Sequence, residues 1–153
     1  MRRGGRRGAI PLGRSGWSDV RMADVSQPAL LWRWIPALGM MAAIFALSSL
    51  PADRLPFFGA YDVLIKKGAH ATGYALLGWT YFHALPSRLT PAYRGALSFL
   101  MALLFALSDE FHQSFVRGRH STLTDVGIDS LGAVLALGVT TLYSSNSSSS
   151  STS

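Results

Sequence analysis

The chain has no cysteine in its 153 residues. Disulfides, thiolate-held metals and a cysteine nucleophile are therefore excluded. Charge is also scarce. Asp, Glu, Lys and Arg make up 14% of the residues, against about 25% in an average soluble domain. Apolar residues reach 49%, and mean hydropathy is +0.26 although both ends are polar. The middle must therefore be far more apolar than the whole. At this length there is room for one domain.

A net charge of +6 invites a nucleic-acid reading, but its distribution argues against one. Six arginines (Arg2, Arg3, Arg6, Arg7, Arg14 and Arg21) fall in the first 21 residues and equal the whole excess. No basic face interleaved with aromatics follows them, so no nucleic-acid partner is expected. A basic arm ahead of apolar segments reads instead as a cytoplasmic flank drawn to anionic lipid.

Residues 1 to 29 are rich in Gly, Arg and Ser without periodicity and are expected to be disordered. Met22 follows the arm and is a second possible start. Residues 144 to 153 are nearly pure serine and read as a flexible tail. Between them lie four apolar segments, near 34–50, 67–85, 92–111 and 123–143. Each approaches the ~20 residues that carry a helix across ~30 Å of hydrocarbon. The run from Gly95 to Leu107 is apolar on every side, which suits lipid better than the core of a soluble bundle. The expected fold is all-α, a membrane bundle of four transmembrane helices over residues 30 to 143. With the N-terminus inside, nine Lys and Arg lie on the inner side and five on the outer, which places both termini in the cytoplasm.

Alternation of direction brings the start of the second segment, the end of the third and the start of the fourth to one face. Lys66, Lys67 and His70 are then expected to meet Asp109, Glu110 and Gln113, and both groups to meet Asp125 and Asp129. Lys66, His70 and Tyr74 recur every four residues and stack along one helix side. Arg119, after Gly118, is expected to pair with Asp109 or Asp125, and Ser121 or Thr124 to cap the fourth helix.

Together, Lys-x-x-x-His-x-x-x-Tyr, Asp-Glu-x-x-Gln-x-Phe-x-x-Gly-Arg and Asp-x-x-x-Asp-x-x-Gly resemble the VanZ-like family. The matching positions are Lys66, His70, Tyr74, Asp109, Glu110, Gln113, Phe115, Gly118, Arg119, Asp125, Asp129 and Gly132, within roughly 34 to 143. The chain departs from the pattern at Arg117, where proline is common, and at Asp129, where asparagine is frequent. The resemblance implies a small polytopic bacterial membrane protein with a cell-envelope role. The family's founding member is linked to low-level teicoplanin resistance.

Ligand-binding candidates are Lys66, His70, Tyr74, Asp109, Glu110, Gln113, Arg119, Asp125 and Asp129. The cations among them favour an anion such as a phosphate or carboxylate, so membrane lipids and an anionic lipid-linked envelope ligand are the expected partners. An acid–base pair, if the chain is a hydrolase or transferase, would be His70 and Glu110. A metal on His70 and the carboxylates is conceivable, but the flanking lysines and arginines oppose a cation; no metal or cofactor is assigned. His112 and His120 read as solvated loop residues, and His83 as an unrelated residue at the inner end. A third reading is structural. Four cations and four acids at this face cancel, and a pure ion-pair network would lock the helix ends.

Overall fold

A computed structural model describes residues 31–119 and 121–149. The expected disordered arm lies outside the described residues, as do His120 and residues 150–153. The described part is all-helical, without strands among the described residues.

Helix α1 spans Ile35–Ser48, with Pro36 in its first turn, where a missing N–H costs nothing. It stops before Pro51. Two short 3₁₀ turns, Ala52–Arg54 and Gly59–Tyr61, lead into α2, Asp62–Ala84. That helix begins five residues before the apolar segment. Asp62 accepts a 2.8 Å bond from Lys66 one turn on, and an acid suits a helix N-terminus. Leu85 turns extended ahead of Pro86 and ends α2. Helix α3, Pro91–Gln113, starts with proline at its first position and is capped by Thr90, whose hydroxyl accepts from the Tyr93 amide.

Helix α4 spans Leu123–Ser149, which corrects the expected tail. The helix does not stop at Tyr143 but continues through six more residues to Ser149. Serine hydroxyls bond back one turn, Ser145 to the Thr141 carbonyl at 2.9 Å and Ser147 to that of Tyr143 at 3.0 Å. The expected cap is corrected too. Thr122, not Ser121 or Thr124, takes the Asp125 amide on its hydroxyl at 3.3 Å.

Contacts between residues fix the topology. Ser48 meets Asp109 and Ile44 lies beside Gly73, so α1 runs with α3 and against α2. Lys67 meets Asp125 and Gly78 meets Leu137, so α2 and α4 run together. The result is an up-and-down bundle with α2 at its centre, in contact with all three others. Tyr74, Leu77 and Tyr81 of α2 meet Ala102 and Ala106 of α3 and Ala133 of α4 in the core. At Gly132 the two helices come so near that an added Cβ would clash with the Ala71 carbonyl oxygen. Small residues permit such backbone contact between membrane helices.

The outside is apolar. Leu100, Leu104 and Phe111 of α3 and Leu131, Leu135 and Val139 of α4 are all exposed. These two helices are long and apolar enough to cross a membrane, and only 22% and 28% of their most apolar stretches are buried. The core helix of a soluble protein would be mostly covered; here the apolar side chains face outward, which is compatible with lipid. At the end of the bundle away from the polar cluster, Arg33 donates to the carbonyls of His83 and Leu85 at 2.7 and 2.8 Å. Arg94 donates to that of Phe82 at 3.1 Å and lies 4.1 Å over its ring. Both cap the C-terminus of α2.

Candidate functional site

The opposite end gathers the C-termini of α1 and α3 and the N-terminal turns of α2 and α4. Its base is a buried polar trio on α3. Asp109, Glu110 and Gln113 are 2%, 6% and 5% exposed, so each must find partners inside the protein. Asp109 Oδ2 accepts from the Ser48 hydroxyl at 2.7 Å and from Gln113 Nε2 at 3.0 Å. Glu110 Oε2 accepts from the Thr122 amide at 3.2 Å, and the Glu110 carbonyl takes the Ser121 hydroxyl at 2.7 Å. Glu110 thus holds the entry to α4 from across the bundle, doing for Thr122 what an acid three residues on does in a capping box.

Arg119 corrects the sequence reading. It does not pair with Asp109 or Asp125. Its Nη2 donates to the Leu47 carbonyl at 2.7 Å, its Nε to that of Leu50 at 3.2 Å, and its Nη1 to Gln113 Oε1 at 3.3 Å. The guanidinium fork thus caps the end of α1 at the Leu47 carbonyl, which also takes the Leu50 amide at 3.3 Å, and holds the Leu50 carbonyl just beyond the helix. Burial pulls the pKa of Arg119 down, against the opposing pull of Asp109 and Glu110. Gly118 makes this reach possible. It lies at φ +75, and Arg117 beside it accepts from the Ala52 amide, which ties the turn to the α1–α2 connection.

Two contacts join α2 to α4. Lys67 Nζ bonds Asp125 Oδ1 at 2.6 Å, while Asp125 Oδ2 accepts from the Thr122 hydroxyl at 2.8 Å. One turn deeper, His70 Nδ1 faces Asp129 Oδ2 at 3.6 Å, within ion-pair reach but beyond a hydrogen bond. Asp129 is 1% exposed, and neither of its carboxylate oxygens has a hydrogen-bond partner.

These side chains enclose a cavity of about 130 Å³. Lys66, Lys67, His70, Glu110, Gln113, Arg119, Asp125 and Asp129 line it, with Ile128. Seven of the nine expected binding residues therefore meet around one space. The other two do not line it. Asp109 lies behind Gln113, and Tyr74 faces a second cavity between α1 and α2. Lys66 reaches back to Asp62 on its own helix rather than to an acid of α3 or α4. Ser48 and Thr122 were not foreseen. Their only sequence signal is a small hydroxyl residue at the end of one apolar segment and just before another. His112 is not a solvated loop residue: it stands in the last turn of α3, 3.1 Å from the Ser49 hydroxyl and stacked on Phe45. His83, as expected, is remote, at the other end of α2. No group of three His, Asp or Glu among the described residues is arranged to hold a metal ion.

The VanZ/LLP1 family model matches residues 17–144, most of the chain. The chain belongs to the VanZ/LLP1 family. No curated protein and no solved structure matches it significantly. The VanZ/LLP1 match includes every residue of the polar cavity, and it begins well before α1. As a member of this family, the chain combines a buried polar end with an apolar exterior. That combination can hold a charged group beside hydrocarbon.

Proposed function

We propose that this chain is a multi-pass cell-membrane protein with four crossing helices and both ends cytoplasmic. Its polar cavity faces outward and binds the anionic head of an envelope lipid or cell-wall-related intermediate. Through that binding it alters susceptibility to teicoplanin-type glycopeptides. The observation that carries this reading is the convergence of Lys66, Lys67, His70 and Arg119 on one small cavity at the helix ends, where Lys66 and Lys67 are held by Asp62 and Asp125 while Arg119 bonds no carboxylate and keeps N–H groups for an anion. Cations gathered beside an apolar exterior recognise phosphate or carboxylate well. The unpaired oxygens of Asp129 would accept hydroxyl or ammonium donors of the same head.

Four crossings are supported by the up-and-down topology and the outward apolar faces. Helix α1 is the shortest, about 21 Å at 1.5 Å per residue, and would thin the bilayer locally or rely on its flanks. The test is native mass spectrometry of the purified full chain. A retained anionic lipid is expected, lost in Lys67→Gln and His70→Ala. Absence of any retained lipid, with glycopeptide susceptibility unchanged in both variants at matched abundance, would overturn the reading.

One observation favours a second reading, a hydrolase or transferase acting on a lipid-linked substrate. Asp129 stands behind His70, where a carboxylate would steady an imidazole acting as base, and Glu110 lines the same cavity. Turnover of a lipid-linked substrate by purified protein, abolished in Glu110→Gln, would establish it.

A further inference from the structure

Beside the polar cavity lies a larger one of about 340 Å³, between α1 and α2. Met40, Ile44 and Leu47 of α1 face Ile65, Ala69 and Gly73 of α2 across it. From Ile65 to Gly73 it follows α2 for about 12 Å. Its sides open outward, since Leu47 and Ile65 are exposed. Three residues line both cavities: Lys66, His70 and Arg119. No carboxylate lines the apolar one, although Asp62 at its edge accepts from the Phe58 amide and the Lys66 ammonium. The mouth between the two spaces holds the Arg119 guanidinium, which bonds no carboxylate, beside Lys66 bonded to Asp62 and His70 facing Asp129, with hydrocarbon on one side and hydrogen-bonding groups on the other.

We infer that the α1–α2 groove holds the apolar chain of an anionic amphiphile, which enters sideways from the membrane and leaves its phosphate or carboxylate at Lys66, His70 and Arg119. The inference rests on the head-group reading and adds the ligand class: a chain-bearing anion rather than a free one. An uncharged apolar guest would gain nothing from the polar mouth or from the Arg119 guanidinium in it. A free anion would gain nothing from the groove. Only a molecule with both parts fills the two adjoining spaces at once. The small side chains Ala43 and Ala69 in the groove wall leave the room the chain occupies.

The experiment uses the full chain in phosphatidylcholine nanodiscs and dodecyl phosphate bearing a diazirine near the end of its chain. Photolabelling is expected within 40–47 and 65–73. Unlabelled dodecyl phosphate should compete at least about tenfold better than dodecanol or inorganic phosphate, a gap of one decade in affinity. Filling the groove by Ala69→Trp, and independently by Ala43→Leu, should cut dodecyl phosphate binding by about tenfold or more. Both variants should bind butyl phosphate as the unmodified chain does, which also shows that they are folded. Several results would overturn the inference: groove variants that bind dodecyl phosphate normally, label confined to other helices, or cross-links only between two copies of the chain. If butyl phosphate binds and is lost in His70→Ala while the groove stays unlabelled, the chain assignment fails and the head-group reading stands. If dodecanol competes as well as dodecyl phosphate and His70→Ala changes nothing, the head-group reading and the inference have both failed.

Discussion

Arg119 serves the backbone where an ion pair was expected. Carbonyl oxygens leave no trace in a sequence, because every residue has one, so a search for partners among side chains points an arginine at acids. Arg119→Ala leaves the Leu50 carbonyl and the Gln113 side-chain oxygen without their donor, while the Leu47 carbonyl keeps the Leu50 amide; the loss is about 1–3 kcal/mol per group where it is buried. Arg119 and Asp125 share no partner. Their single losses should therefore add to within about 0.5 kcal/mol in the Arg119→Ala, Asp125→Asn double variant, measured by thermal unfolding in detergent. A coupling well above that would restore the ion pair. Lys67→Gln with Asp125→Asn is the contrasting cycle. There a 2.6 Å contact predicts that the double variant is less damaged than the sum of the singles. Tyr74 illustrates a second way the residue pattern misleads. Steps of four along a helix drift by about 40° each, so Tyr74 has turned about 80° from Lys66 and faces the neighbouring groove.

Among the helices, the apolar segments located four elements well, because Pro36, Pro51, Pro86 and Pro91 punctuate them where backbone chemistry demands. Convergence of Lys67 with Asp125 and of His70 with Asp129 was legible for the same reason: short connections force alternating directions. The serine run was not, since its composition resembles a linker while its hydroxyls bond back to the preceding turn. The contact of α2 with α4 carries its own prediction. Gly132→Ala drives a methyl into the Ala71 carbonyl, and backbone cannot rotate aside; a loss of about 1–3 kcal/mol or more is expected. Gly138→Ala on the same helix meets nothing within 4 Å and should be neutral or stabilising by up to about 1 kcal/mol. Equal thermal unfolding of the two variants would show that the helices do not approach as described.

For the whole molecule, the absence of cysteine is an experimental convenience. Single cysteines at Phe57 and Ser87 sit on exposed connections at opposite ends of the bundle. An impermeant thiol reagent on intact cells should label Phe57→Cys and spare Ser87→Cys. The reverse pattern would put the polar cavity in the cytoplasm and leave envelope intermediates out of its reach.

Arg119 belongs to both architecture and cavity, and its hydrogens can be counted. A guanidinium has five N–H groups; the three bonds to Leu47, Leu50 and Gln113 use three and leave two, one on each terminal nitrogen. An anion can therefore dock on a residue that is already a rivet, without drawing it out. The seam that closes α1 onto the bundle stays shut whether the site is vacant or tenanted, because the guest and the scaffold draw on separate hydrogens.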